Sequence, residues 1–261
     1  TTVISWHYRG HGHSAPPADP RRITIPDFAE DLSYLLEETA VERGVLLGYS
    51  MGVSVVLEFA ARHPERVAGL VLLCGNYEKA LDDFLGNPLL ATLFKWSRKP
   101  ILSVARRERV RRLWRLLLTP TPLHWRIAGI KSVNTDFARP EDFLGPYFHG
   151  LQSIDLDRFL EIAFAFAEHS ARSILPEIRV PTLIIAGDED IFTPLRASRE
   201  MHTAIPNSEL LVVRRGRHTT PIEFPDLLLL RMEKFLCDHF LENGRPGWSR
   251  PQAPISGKHS K

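Results

Sequence analysis

A short apolar run, a tight turn and a helical pattern follow one another directly at residues 44–64. The run "GVLLGYS" has the length of a buried strand, and "MGVSVVLEFAAR" carries apolar residues at helical spacing until a proline ends the pattern. The sequence Gly48-Tyr49-Ser50-Met51-Gly52 lies at the junction, where small residues on both sides let the backbone pass close to the serine. Such an elbow lifts Ser50 above the edge of a sheet and makes it a candidate nucleophile, the alternative being a structural turn serine.

Strands and helices alternate on both sides of this turn. Strand patterns occur at residues 3–8 and again in "RVAGLVLLCG", "VPTLIIAG" and "SELLVVRR". Helical spacing of apolar residues follows Pro26 and closes the chain in "DLLLLRMEKFLCDHFL". Because alternating strands and helices are typical of a parallel sheet covered by helices, we predict an α/β fold with a predominantly parallel sheet.

Residues 76–172 differ in character from the segments around them. Their pattern predicts several helices and no convincing strand, with breaks at six prolines, which are Pro88, Pro100, Pro120, Pro122, Pro140 and Pro146. We therefore predict a core formed by residues 1–75 and 173–241, with residues 76–172 inserted as a helical cap. Residues 242–261 are rich in Gly, Pro, Ser and basic residues and predict a disordered tail.

The overall composition limits the classes of partner. A formal net charge of +2 over 261 residues gives no global electrostatic case for nucleic acid. The sequence has no apolar run of bilayer-spanning length, so stable membrane insertion is not expected. Cys74 and Cys237 stand far apart in apolar contexts, which favours two buried free thiols and a cytoplasmic location. We expect a small-molecule substrate and neither metal nor cofactor, while the oligomeric state stays undetermined.

A serine hydroxyl is a poor nucleophile unless a base and an orienting acid accompany it. The base candidate is His218, which follows a predicted strand in "VVRRGRHTTPIEFP". The acid candidates are Asp188 and Asp190, which compete in "GDEDIFTP" after another predicted strand. The loops at one edge of a parallel sheet converge on a common site, so these groups can meet Ser50 there. The backbone N–H of Met51 would then face a developing oxyanion.

Four segments resemble the consecutive signature segments of the α/β-hydrolase family: "WHYRGHGHS", "GYSMG", "VPTLIIAGDEDIFTP" and "GRHTTPIEFP". In that family the acid commonly falls three residues after the glycine that ends its strand, which corresponds to Asp190. Asn76 occupies the alternative acid position. The resemblance therefore implies a triad of Ser50, Asp190 and His218 and a serine hydrolase that cleaves an ester or thioester.

The sequence departs from the family pattern near its beginning. Relatives have about three strands before the segment "VISWHYRGHG", and the loop after the third supplies a second oxyanion donor. Neither is present here, so we expect either a fragment of a longer chain, which is favoured, or a relative with weakened activity. His7 stands where relatives often have Asp, and we interpret it as structural. Two further hypotheses follow: a cofactor-free peroxidase-like enzyme with the same triad, and an inactive scaffold or interaction protein.

The predicted cap contains a basic stretch, "VARRERVRRLWRLLL". Val110, Leu113, Trp114 and Leu117 share one helical face, which predicts a packed helix whose arginines are solvated. The alternatives are an arginine site for an anionic substrate group and contact with an acidic membrane surface. A second stretch, "FLEIAFAFAEH", either anchors the cap or lines an acyl pocket.

Overall fold

The central sheet is built from four parallel strands in the order β1-β2-β3-β4. The computed structural model describes residues 2–78, 88–242 and 245–246. The strands of the sheet are β1 (Gly44–Tyr49), β2 (Val67–Leu73), β3 (Thr182–Gly187) and β4 (Ser208–Val213). Each of the four coincides with an apolar run of strand length in the sequence. The central strands β2 and β3 are buried along their whole length. The predicted α/β fold with a parallel sheet is confirmed.

Helices cover both faces of this sheet. One face packs against α1 (Ile25–Glu38), α2 (Met51–Arg62) and α9 (Leu195–Ala204), and the other packs against α11 (Pro225–Phe240), which follows the short α10 (Thr220–Glu223). Strand β2 shows the division directly, since Leu70 and Leu72 join the first layer and Val71 and Leu73 join the second. Successive side chains of a strand point to opposite faces, so one apolar run serves two cores.

The described part of the chain between β2 and β3 is mainly helical, as predicted for residues 76–172. Its helices are α3 (Pro88–Trp96), α4 (Arg98–Ala105), α5 (Glu108–Leu117), α6 (Pro122–Lys131), α7 (Pro140–Gln152) and α8 (Leu156–Glu168). An antiparallel bridge between Glu78 and Ser170 lies at the base of this insertion. The division into core and cap at residues 76 and 172 stays a prediction.

Two prolines do not break helices where breaks were predicted. Pro146 lies inside α7, and Pro100 is the third residue of α4, where the missing N–H would have no intrahelical partner. In α7 the neighbouring Phe143 and Phe148 are buried in a cluster of cap side chains, and this packing stabilises the helix across the proline. Tertiary contacts therefore override the local signal.

The strand predicted for residues 3–8 is wrong, because the structure assigns no strand there. Strands need a neighbour, and no backbone hydrogen bond joins residues 2–7 to β1 or to any other described segment. Trp6 and Tyr8 instead pack their rings against each other edge to face, and Tyr8 also contacts Phe28 of α1. The alternation of apolar residues at positions 3–8 thus reflects side-chain packing without backbone pairing to another strand.

The remaining expectations concern the termini and the cysteines. Among the described residues no helix is long and apolar enough to cross a membrane. Most of the predicted tail, residues 242–261, lies outside the described residues; Leu241–Glu242 and Arg245–Pro246 form a two-residue antiparallel pair. Cys74 is a buried free thiol as predicted, whereas Cys237 is free but exposed on α11.

Candidate active site

Ser50 occupies a strained turn between β1 and α2. Its φ and ψ angles are 55° and −119°, a conformation that residues with a side chain rarely adopt. Two backbone hydrogen bonds hold it, from Ser50 N to the Leu73 carbonyl at 3.0 Å and from Val53 N to the Ser50 carbonyl at 3.1 Å. A Cβ atom on Gly48 would overlap the Gly52 carbonyl. The turn therefore requires the small residue that the sequence places there.

The first turn of α2 begins directly after Ser50. The backbone N–H of Met51 makes no hydrogen bond to any residue that the structure describes. Free N–H groups at a helix N-terminus, together with the helix dipole, favour negative charge. The Met51 N–H is therefore available to a negatively charged group beside Ser50.

His218 connects the serine to a carboxylate. Its Nε2 atom lies 3.0 Å from Ser50 Oγ, and its Nδ1 atom lies 2.9 Å from Asp190 Oδ2. The three residues come from the ends of β1, β3 and β4, which meet at the same sheet edge. The structure thus brings together the serine, base and acid candidates in one hydrogen-bonded chain.

Asp190 is oriented by several donors. Its side chain is fully buried, and Oδ1 accepts hydrogen bonds from Phe192 N at 2.8 Å and Thr193 N at 3.0 Å. Oδ2 accepts the Thr193 hydroxyl at 2.6 Å in addition to contacting His218. The competing candidate Asp188 points elsewhere and accepts the Arg215 N–H at 2.6 Å. Asp190 is therefore the acid that faces the histidine.

Aromatic rings surround the His218 imidazole. The rings of Tyr49 and Phe192 have centroids 5.4 Å and 5.1 Å from it, and the Tyr49 hydroxyl donates to the His218 carbonyl at 2.9 Å. The elbow residue Tyr49 thus holds the histidine backbone while its ring limits imidazole rotation. These rings also give the site an apolar side, which suits a partly apolar ligand.

The buried carboxylate of Glu223, which was not predicted from the sequence, contacts the residues on either side of His218. Glu223 Oε1 accepts hydrogen bonds from Asn134 N at 2.7 Å and from the Thr219 hydroxyl at 2.8 Å, and Oε2 accepts Arg217 N at 2.8 Å. It therefore binds both neighbours of His218 in sequence and one residue of the cap. An acidic residue five positions after the predicted base in "GRHTTPIEFP" is the available sequence signal.

Arg217 adds further contacts between the histidine loop and the cap. Its guanidinium donates to the carbonyls of Gly129 at 2.6 Å and Val133 at 2.9 Å. The Thr219 hydroxyl lies 3.0 Å from the Ser132 carbonyl, and Asn134 Nδ2 donates to the Arg215 carbonyl at 2.9 Å. The segment after α6 and the loop that carries His218 therefore form one hydrogen-bonded unit.

The loop with His7, His11 and His13 stands apart from this chain of contacts. His7 Nδ1 lies 3.4 Å from His13 N, which agrees with a structural role for His7. Arg9 anchors the loop through an ion pair with Asp31 of α1. Tyr8 lies close to the elbow, since a Cβ on Gly52 would be 3.2 Å from its hydroxyl, and burial raises the pKa of Tyr8 to about 12.

Comparison with known proteins agrees with this fold. The sequence model of the alpha/beta hydrolase fold matches residues 1–225. The chain belongs to the α/β-hydrolase fold family. This α/β-hydrolase is 30% identical over 231 residues to the protein named "Putative carbamate hydrolase RutD" of Azorhizobium caulinodans, with 87% of this chain and 79% of the relative covered.

Two further similarities span most of the hydrolase. The proline iminopeptidase of Neisseria gonorrhoeae is 27% identical, with 90% of this chain and 80% of the relative covered. A thermophilic esterase from Thermogutta terrifontis superposes with a TM-score of 0.66 at 23% identity, covering 89% of this chain and 78% of the esterase, and shows the shared fold. The predicted family is thereby confirmed, and the relatives' names differ in the bond that is cleaved.

Proposed function

We propose that this α/β-hydrolase is a serine hydrolase that cleaves an ester or thioester through Ser50, His218 and Asp190. The observation that carries the proposal is the hydrogen-bonded chain from Ser50 Oγ to His218 Nε2 and from His218 Nδ1 to Asp190 Oδ2. A hydroxyl, a base and an orienting carboxylate in this arrangement are what acyl transfer from a serine requires. No cofactor or metal takes part in the proposed reaction.

The first half of the reaction acylates the serine. His218 Nε2 removes the Ser50 hydroxyl proton as Oγ bonds to the substrate carbonyl carbon, and the Met51 N–H stabilises the resulting oxyanion. His218 then gives its proton to the departing alcohol or thiol as the carbonyl re-forms. Asp190 accepts the Nδ1–H throughout, which fixes the tautomer that leaves Nε2 free to act as base.

The second half releases the acid. His218 removes a proton from water, the hydroxide attacks the acyl carbon, and Ser50 leaves with the proton that the imidazole returns. The substrate we propose is small to medium-sized and partly apolar, which the rings of Tyr49 and Phe192 beside the imidazole support. The free, widely separated cysteines support a cytoplasmic location.

A fluorophosphonate probe tests the nucleophile directly. We expect the folded protein to be labelled at Ser50, as located by peptide mass spectrometry, with no labelling of Ser50→Ala and strongly slowed labelling of His218→Ala. Ser54, whose buried hydroxyl donates to the Asn76 carbonyl, is the matched serine, and Ser54→Ala keeps the labelling. Absent labelling of the folded wild-type chain overturns the proposal and favours the inactive scaffold.

A panel of substrates tests which type of bond the enzyme cleaves. We expect hydrolysis of p-nitrophenyl butyrate and of an aryl thioester to exceed that of a matched aryl carbamate and an aminoacyl anilide. Faster cleavage of the carbamate or anilide overturns the ester assignment. Formation of peracid from acetate and peroxide, with slower ester cleavage, would instead favour the peroxidase-like hypothesis.

A further inference from the structure

One segment of the cap, residues 88–131, carries a larger net positive charge than the whole chain. Residues 88–131 contain eleven lysines and arginines and one glutamate, whereas the whole chain carries a net charge of only +2. The rest of the chain is therefore net acidic. A concentration of positive charge of this size in residues 88–131 indicates a surface that binds a negatively charged partner.

Part of this charge is neutralised inside the protein. Arg111 pairs with Asp157 at 3.0 Å and Arg115 with Asp155 at 3.2 Å, so these two of the arginines predicted to be solvated link α5 to the start of α8. Five other cations are exposed and make no ion pair to any residue that the structure describes, namely Lys99, Arg107, Arg109, Arg126 and Lys131. These five remain available to an external anion.

Helix α6 combines free cations with an apolar stripe. Leu123, Ile127 and Ile130 follow one another at spacings of four and three residues, which places them on one face. All three are mainly exposed, with Ile130 at 70%. Arg126 and Lys131 fall on either side of this stripe by helical geometry. The other side of the helix packs Trp125 and Ala128 into the cap, so the stripe and its flanking cations are what α6 presents to solvent.

Helix α5, which precedes α6 in the chain, also exposes apolar side chains. Leu113, Leu116 and Leu117 lie on neighbouring turns and are exposed, with Leu116 at 69%, so the apolar face predicted to be packed is only half covered. The His124 ring nitrogen Nε2 contacts the Leu117 carbonyl at 2.7 Å, which keeps the end of α5 against the start of α6. We define the cap patch as these two stripes, with Arg109, Arg126 and Lys131.

Other parts of the cap also expose apolar side chains. Helix α3 adds Leu93 and Trp96, the latter 82% exposed, and an open hollow of about 380 Å³ between α4, α5 and α8 is lined by apolar side chains that include Val110 and Leu160. Exposed tryptophans are favoured at the headgroup level of a bilayer. Large apolar patches of this kind mark interaction sites on monomeric proteins.

We propose that the cap patch adsorbs reversibly to the surface of an anionic lipid bilayer. Its leucines and isoleucines would enter the acyl boundary while its lysines and arginines reach the lipid headgroups. A second copy of this chain is disfavoured because two identical cationic patches repel. A nucleic acid would satisfy the cations but would leave six exposed aliphatic side chains in water. The bilayer matches both features, and the proposal is independent of the hydrolytic activity.

Vesicle sedimentation tests the interaction with the full chain. We expect the protein to pellet with vesicles of phosphatidylcholine containing phosphatidylglycerol, to stay in the supernatant with pure phosphatidylcholine, and to be released as salt is raised. Equal binding to both vesicle types, or no binding to the anionic ones at low salt, overturns the proposal. Binding to a DNA duplex that is insensitive to the apolar substitutions below also overturns it.

Paired variants separate the contribution of the cations to vesicle binding from that of the apolar side chains. Arg126→Gln with Lys131→Gln should lower the partition coefficient about 30-fold, and Ile127→Gln with Ile130→Gln at least about tenfold. The matched controls are Arg179→Gln with Arg199→Gln and Leu229→Gln with Leu230→Gln, which change exposed residues outside the cap. Each variant is compared by thermal melting to show that it folds. Controls that weaken binding as much as the cap variants overturn the proposal.

Discussion

The Glu223 carboxylate accepts a 2.7 Å hydrogen bond from the backbone N–H of Asn134, a residue 89 positions earlier in the chain. The carboxylate is buried, and its remaining contacts are to Thr219 and Arg217, on either side of His218. Unpaired buried charge is costly, so a carboxylate here is stable only while all its donors are in place. The position of the candidate base therefore depends on the cap.

Glu223→Gln should misplace the histidine while preserving side-chain volume. The amide has one acceptor oxygen and turns an NH₂ group toward an N–H or hydroxyl donor, which leaves a buried donor without a partner. We expect a loss of about 1–3 kcal/mol in the free energy of unfolding and a fall of about tenfold in kcat with a smaller change in KM. Ester hydrolysis kinetics and urea denaturation measure the two effects.

The exposed Asp226, at the start of α11, provides the matched control. Asp226→Asn removes a carboxylate three residues away from Glu223 without breaking a buried hydrogen bond, so both kcat and the free energy of unfolding should stay near wild type. A kcat for Glu223→Gln equal to that of Asp226→Asn would show that the carboxylate has no part in placing His218.

Thr193→Val should weaken the orientation of Asp190. The Thr193 hydroxyl donates a 2.6 Å hydrogen bond to the same carboxylate oxygen that contacts His218, and a bond to a charged acceptor is worth about 1.5–3 kcal/mol. We expect kcat to fall roughly tenfold, with Thr193→Ser retaining most of the activity because it keeps the hydroxyl. Thr203→Val, which removes an exposed hydroxyl bonded to the Arg199 carbonyl, should leave kcat unchanged. Equal rates in all three variants would contradict the role.

Ser50→Gly should be inactive but more stable than Ser50→Ala. Both substitutions remove the hydroxyl, but only glycine adopts a φ of 55° without steric cost from Cβ. We expect the free energy of unfolding of Ser50→Gly to exceed that of Ser50→Ala by about 1 kcal/mol. Paired thermal or urea unfolding curves measure the difference. If Ser50→Ala proves equally stable, the elbow stores no backbone strain at this residue.

The two cysteines should differ in reactivity toward iodoacetamide. Burial raises the pKa of the Cys74 thiol to about 12, so at pH 8 Cys74 is protonated as well as inaccessible. Cys237 is exposed on α11 and should be alkylated in the folded protein. Mass spectrometry of tryptic peptides should find Cys237 modified and Cys74 unmodified until urea unfolds the chain. Comparable modification of both thiols in the native state would contradict the buried position of Cys74.

The main features of the fold were predictable because they depend on local periodicity. Strands such as Thr182–Gly187 are continuous apolar runs, and buried parallel strands have that signature. The candidate residues Ser50 and His218 follow strands, and strand ends converge. The choice between Asp188 and Asp190 rested on family resemblance, because spacing alone does not reveal that Asp188 faces the Arg215 N–H.

The remaining features depend on long-range contacts. Nothing in local spacing connects Asn134 to Glu223, or Arg111 to Asp157. The helical pattern of α5 correctly identifies an apolar face, but it does not say which neighbour covers it, and Leu113 remains half exposed. The apolar alternation at residues 3–8 similarly predicts a strand without providing a hydrogen-bonding partner for it.

The bonds between Glu223 and the segment after α6 also limit how this architecture can be recombined. Consider a chimaera that keeps this sheet but carries the helical insertion of another family member. The buried Glu223 carboxylate would lose the hydrogen bond from Asn134 N, unless the new insertion presents an N–H at the same place. The helical insertion and the loop that carries His218 must therefore be exchanged together. A hybrid would acquire the substrate preference of the donor protein only when it receives both segments.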